Sequence, residues 1–167
     1  LEVIKRNGGK PIISKTGHAF IKARMRQEDA IYGGEMSGHH YFREFGYCDS
    51  GMIPLVLMLQ IIGGSHQPLS DFIADAQARF PVSGEINRVV DDPAAILKSI
   101  TAYYQPQSPQ YDDCDGVSLA FADWRFNLRA SNTEPLLRLN VETRGDTGLL
   151  AAKTAEVLAF IATKEVL

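Results

Sequence analysis

Apolar and polar residues fall into two periods along this chain. Leu137, Leu139 and Val141 alternate with Arg138, Asn140 and Glu142, the pattern of a strand with one buried and one polar face. Two further strand-like runs precede it, over residues 117–122 and 124–130. By contrast, Leu69, Phe72, Ile73, Ala76 and Phe80 recur at helical spacing and predict a helix over 69–80. Helices are also predicted over 19–28, from a cap at Asp49 or Ser50 to about Ile62, over 93–104 and over 149–161. The second of these is expected to stop at Gly63-Gly64. Short strands are predicted over 11–14, 30–32 and 83–90, and residues 1–6 read as a helix end stopped by Asn7-Gly8-Gly9. Residues 105–115, rich in Pro, Gln, Ser and Asp, read as a solvated connector.

The character of the chain changes at Pro81. The expected organisation is therefore α/β over residues 1–80 followed by α+β over 81–167, the latter an antiparallel sheet with two helices. The length of 167 residues is enough to bury a core without disulfides or metals. Hydrophobic residues make up 45% of the chain, and its net charge of −3 argues against a nucleic-acid-binding surface. Cys48 and Cys114 form no CxxC pair, which predicts no zinc site and two buried or half-buried thiols in a reducing cytoplasm. The longest apolar stretch, residues 52–62, is too short to span a bilayer and is interrupted by Pro54 and Gln60. No membrane partner is expected.

Two loops carry candidate chemistry. The first reads Gly33-Gly34-Glu35-Met36-Ser37-Gly38-His39-His40. Glu35, Ser37 and His39 are spaced two apart, which in an extended loop points all three to one side. A charged acceptor, a hydroxyl and an imidazole suit the reading of vicinal sugar hydroxyls, each of which both donates and accepts. On spacing alone, the same residues also fit an ordinary polar connection from strand to helix. His40 reads as structural or exposed. The second loop reads Arg129-Ala130-Ser131-Asn132-Thr133-Glu134-Pro135 between two strands. Small polar residues expose successive backbone N–H groups that can cradle an anion, and an arginine adds a charged fork. A polar hairpin turn with a surface arginine is the alternative. Glu134 is expected to turn away, onto Arg125 or Arg138.

Together these loops, in this order and about ninety residues apart, resemble the α-D-phosphohexomutases in their bacterial phosphomannomutase/phosphoglucomutase form. GEMSGH resembles that family's sugar-binding loop and RASNTEP its phosphate-binding loop. KTGHAFIK, from Lys15 to Lys22, matches a third stretch, and YFREFGYCDSG and GVSLAFADWRFNLRASNTEP are similar throughout. The resemblance implies a partial third domain followed by a small C-terminal fourth domain, of proteins in which a phosphoserine passes its phosphoryl group to a hexose phosphate. It implies interconversion of mannose 6-phosphate and mannose 1-phosphate, with glucose phosphates or a non-catalytic sugar-phosphate-binding module as alternatives.

The resemblance also assigns roles. Glu35 and Ser37 would hold the sugar 3- and 4-hydroxyls, and His39 would lie at the reacting hydroxyl as the catalytic candidate. His18 would be a further sugar contact. Arg129, Ser131, Asn132 and Thr133 would hold the phosphate that is not transferred. Some relatives place an arginine where this chain has Asn140, and Arg138, on the same strand face, would either take its part or pair with Glu134 or Glu142. No TASHNP-like serine loop and no DGDxDR-like magnesium loop occurs in the sequence, and Asp112-Asp113-Cys114-Asp115 has the wrong pattern. Mg2+ and a glucose 1,6-bisphosphate activator are therefore expected of the full-length enzyme, with none bound here. The expected partners are the hexose phosphate and the missing N-terminal domains, and the chain alone is expected to be inactive.

Overall fold

A computed structural model describes residues 1–131 and 134–164. The chain packs as two units, Leu1–His66 and Gln67–Leu167. This break falls one helix before the change of character at Phe80. The reason is local: Gly145 N donates to Arg79 O at 3.0 Å and Thr143 N to Pro81 O at 3.0 Å, tying the end of the 69–79 helix to the later residues.

In the first unit, α1 (Glu2–Arg6) and α2 (His18–Glu28) precede a three-stranded antiparallel sheet of β1 (Tyr32–Gly34), β2 (His40–Phe42) and β3 (Cys48–Asp49). Ile21 and Met25, one turn apart on α2, meet Tyr41 of β2, and these three form the unit's buried cluster. Asp29 ends α2 in the left-handed conformation at φ 49°. Its carboxylate accepts from Arg43 at 2.9 Å and from Tyr47 at 3.1 Å, which holds that unfavourable geometry in place. The helix α3 (Met52–Ser65) follows, with Ser50 Oγ accepting from Ile53 N at 3.2 Å. It runs through Gly63-Gly64, contrary to expectation. Glycine only weakens a helix interior, and the stop comes at His66, which turns left-handed at φ 56° just before Pro68. Residues 11–14, expected as a strand, pair with no neighbour among the described residues, and Pro11 offers no N–H to a ladder.

The second unit begins with α4 (Leu69–Arg79). Its five-stranded antiparallel sheet has the order β4 (Ile86–Val89), β8 (Leu136–Thr143), β7 (Trp124–Ala130), β6 (Val117–Ala120), β5 (Gln110–Asp112). Strand β5 lies inside the predicted connector. It forms because β6 supplies a partner at Gln110↔Ala120 through Asp112↔Ser118, which composition does not show. One face of the sheet carries Val117, Leu119, Trp124, Phe126, Leu128, Leu137, Leu139 and Val141 against α5 (Pro93–Tyr104) and α6 (Thr147–Lys164). Asp92 caps α5 by accepting from Ala95 N at 2.9 Å, with Pro93 as its first helical residue. The buried Tyr104 hydroxyl donates to Glu156 at 2.8 Å, and Glu156 also accepts from Lys153 at 2.7 Å. Burial and the adjacent carboxylate push the Tyr104 hydroxyl up from its ordinary pKa. The mixed α/β and α+β character expected from the pattern is thus observed, with both sheets antiparallel. Among the described residues, no single helix is long and apolar enough to cross a membrane. Cys48 and Cys114 are both exposed rather than buried, the first on the short strand β3 and the second in the turn between β5 and β6.

Candidate functional site

The motif around Glu35 is a β-hairpin and not an extended loop. Gly34 pairs with His40, Glu35 N donates to His39 O at 3.0 Å, and Gly38 N donates to Glu35 O at 3.1 Å. Gly38 closes this turn at φ 83°, where a side chain would be strained. The alternate spacing therefore does not itself bring Glu35, Ser37 and His39 together. Hydrogen bonds across the turn do. Ser37 Oγ donates to Glu35 Oε2 at 2.9 Å and lies 2.8 Å from His39 Nδ1. With the hydroxyl proton committed to the carboxylate, the Ser37 oxygen is left to accept from His39 Nδ1 when that nitrogen carries a proton.

Tyr41 completes the network from beneath. It lies on β2, is fully buried, and donates through its hydroxyl to Glu35 Oε1 at 2.5 Å. Burial and this bond push the Tyr41 hydroxyl up to about 12. In return, the Tyr41 bond holds the Glu35 carboxyl below its ordinary range. Burial opposes that shift, while the Ser37 bond and the charges of His39 and His18 add to it. The Glu35 side chain is only 8% exposed, whereas that of His39 is 53% exposed. The arrangement is a fixed, ionised acceptor with an accessible imidazole beside it. His18 opens α2, exposed and near enough for its charge to act on Glu35. His40 turns elsewhere, with Nδ1 2.6 Å from the Tyr32 hydroxyl. Nothing in the motif singled out Tyr41, because an aromatic residue in a strand reads first as core.

The second motif closes the β7–β8 hairpin. Strand register places Arg129 opposite Arg138, Asn127 opposite Asn140 and Arg125 opposite Glu142, all on the sheet face away from the helices. Beyond Arg129, Ser131 N donates to Leu136 O at 2.9 Å and Leu136 N donates to Glu134 O at 2.8 Å. Asn132 and Thr133 lie outside the described residues.

The arginines' partners differ from expectation. Arg125 meets Glu142 at 3.9 Å. Arg138 meets Glu85 at 3.4 Å, and neither Glu134 nor Glu142 is its partner. Arg129 meets the other oxygen of Glu85 at 3.2 Å and Asp115 at 3.9 Å. Two like charges opposite each other on neighbouring strands repel, and a carboxylate that reaches both relieves this. Glu85 stands 44 positions before Arg129, so local spacing carried no sign of it. Asp115 is brought in by Gly116, whose φ is +79° and whose missing side chain would sit 2.6 Å from Leu128 O. Asn127 Nδ2 secures the same turn by donating to Asp115 O at 2.8 Å.

Among the described residues, no three His, Cys, Asp or Glu side chains gather as a metal site. The residues here do not fit the magnesium that the resemblance implies for full-length relatives.

Comparison with known proteins adds the following. A family model described as phosphoglucomutase/phosphomannomutase, alpha/beta/alpha domain III, matches residues 1–80. The model described as the C-terminal domain of the same proteins matches residues 85–160. A phosphomannomutase of Escherichia coli is 56% identical over 161 residues, covering 96% of this chain and 35% of its own length. One from Vibrio cholerae serotype O1 is 51% identical over 162 residues, again covering 96% of this chain and 35% of its own length. Phosphohexose mutases of Xanthomonas campestris are 55% identical over 157 residues, covering 94% of this chain and 35% of theirs. The chain thus spans about a third of the length of these curated relatives. A crystal structure of a phosphoglucomutase/phosphomannomutase family protein from Burkholderia thailandensis shares the fold. Its TM-score is 0.75 at 24% identity, with 94% of this chain and 34% of that one covered.

Proposed function

Because this chain belongs to the phosphoglucomutase/phosphomannomutase family, matching its domain III and C-terminal domain, we propose that it supplies hexose phosphate recognition to a phosphomannomutase. That enzyme interconverts mannose 6-phosphate and mannose 1-phosphate in the cytoplasm, by phosphoserine-mediated transfer. The domains divide near Phe80. Glucose phosphates are the alternative substrates, since the family name covers both sugars, and kinetics on both pairs of sugar phosphates separates the two readings. The observation that supports the proposal is the hairpin network in which Ser37 Oγ joins Glu35 at 2.9 Å and His39 at 2.8 Å.

In this reading, Glu35 and Ser37 bind the sugar 3- and 4-hydroxyls, and His39 hydrogen bonds or moves a proton at the reacting hydroxyl. His18 adds a contact. Arg129, with Ser131, Asn132 and Thr133, grips the phosphate that is not transferred. Arg138 joins through its pairing across the sheet. Holding the remote phosphate orients the reacting end, so its binding energy assists the chemical step. Magnesium and a glucose 1,6-bisphosphate activator belong to the full-length enzyme, as does the phosphoserine.

Arg129→Ala in the full-length enzyme tests the proposal. A charge-assisted contact contributes about 1.5–3 kcal/mol, so the Michaelis constant for the hexose phosphate is expected to rise by roughly tenfold to a hundredfold. An unchanged constant overturns the phosphate-gripping role. The 167-residue chain alone, supplied with glucose 1,6-bisphosphate and magnesium, is expected to show no turnover.

A further inference from the structure

The strand that carries Glu85 is irregular at that residue. Val82 lies opposite Glu142 and Ile86 opposite Leu139, so four steps on one strand face three on the other. One residue is extra, and Gly84, at φ 70°, takes up the bend. Such bulges re-aim a side chain. Here both Val82 and Glu85 reach the polar face, which strict alternation forbids for residues three apart. The bulge delivers a carboxylate with one oxygen 3.2 Å from Arg129 and the other 3.4 Å from Arg138. The three side chains are only 25–30% exposed, so solvent screens them incompletely. Among the described residues, Arg138 Nε is buried without a hydrogen-bond partner. Glu85 therefore engages the arginine pair without satisfying it.

We propose that Glu85 is an internal anion that occupies the Arg129–Arg138 pair and that an incoming phosphate must displace, so that it selects dianions over monoanions. The inference rests on the reading of Arg129 as a phosphate ligand. A tethered carboxylate competes at high effective concentration. A free monoanion carries the same charge without the tether and cannot dislodge it. A phosphate dianion carries twice the charge and three acceptor oxygens, and it can take both guanidinium groups. Displacement keeps the phosphate from binding too tightly, which suits a ligand that must leave.

The test is titration of the 167-residue chain with inorganic phosphate and with acetate at fixed ionic strength, followed by NMR shifts. The chains compared are the unaltered one, Glu85→Gln, Glu85→Asp and Arg129→Ala. Glu85→Gln removes the carboxylate that reaches both arginines, leaving Asp115 at 3.9 Å from Arg129, and is expected to tighten phosphate binding roughly fivefold. It is also expected to bring acetate binding into measurable range. Glu85→Asp keeps the charge on a shorter arm that reaches one arginine, and is expected to give a smaller gain in the same direction. Its result decides the matter if Glu85→Gln does not fold. Phosphate binding that weakens or stays unchanged in both Glu85 variants, while Arg129→Ala abolishes it, overturns the role of Glu85 and leaves the phosphate loop standing. Binding that survives Arg129→Ala overturns the loop reading itself. Absence of phosphate binding in every chain, Glu85→Gln included, overturns both.

Discussion

Among the described residues, fourteen form the buried core of residues 67–167, whereas three form that of residues 1–66. The second unit closes a sheet over two helices, and its strands alternate cleanly between buried and half-buried positions. The first unit leaves α3 with no buried residue, although the helix is apolar all round, and Met52, Val56 and Leu59 are 67%, 58% and 61% exposed. What defines the first unit locally is polar. Asp29 ties Arg43 to Tyr47, and Glu35 ties Tyr41 to Ser37. A close-packed core resists change because each side chain has many neighbours, while a hydrogen-bonded hairpin depends on a few directional contacts. The two candidate loops thus rest on different kinds of support.

Four substitutions sharpen or break this contrast. The largest effect is expected from Phe126→Ala, at the centre of the second core, which should cost about 3–5 kcal/mol. Urea unfolding followed by residue-resolved NMR should show the loss in residues 67–167, with the Glu35 hairpin signals intact. A concerted loss in both units would remove the distinction drawn between them. Next, Tyr41→Phe strips the donor from the nearly buried Glu35 carboxylate and should cost about 1–3 kcal/mol. Amide exchange should quicken in β1 and β2, and the Glu35 carboxyl should titrate closer to its ordinary pKa. Unchanged exchange would show that packing around Tyr41, and not its hydroxyl, holds the hairpin.

A smaller effect concerns acid. The folded state lowers the Glu35 pKa, so its contribution to stability is complete above the ordinary carboxylate pKa and is lost as pH falls through the lowered value. Glu35→Gln should flatten the pH dependence of the first unit below about pH 4.5 and leave that of the second unit alone. Melting at several pH values checks this, and an unaltered acid slope would count against it. The smallest effect is expected from Leu59→Asp on the exposed face of α3. It should shift stability by less than about 0.5 kcal/mol and reduce self-association seen by light scattering. A large destabilisation would show that this face is packed.

Legibility in the sequence follows the same divide. The helix over 93–104 and the strand over 124–130 were readable to the residue, and alternation over 137–142 marked all but the two end residues of the strand over 136–143, because Pro93 is a local start signal and strict alternation marks a one-sided strand. Residues 110–112 were not readable, since Gln110, Tyr111 and Asp112 become a strand only through β6. The run 11–14 failed the opposite way, having the right residue types and no described partner. In the two candidate motifs, each within its own unit, Glu35, Ser37, His39 and Arg129 announced themselves by motif. Tyr41 was hidden by its resemblance to core, and Glu85 by its distance along the chain.

By itself, the sequence determined which side chains belong to the two polar motifs and which face of each strand is polar, because both follow from spacing a few residues long. Only the tertiary structure decided what those side chains meet. Arg129 and Arg138 oppose each other through strand register, and a one-residue bulge sets Glu85 between them. Charge pairing acts over a few ångströms in space and is blind to separation in sequence, so the partner of each arginine is a property of the fold.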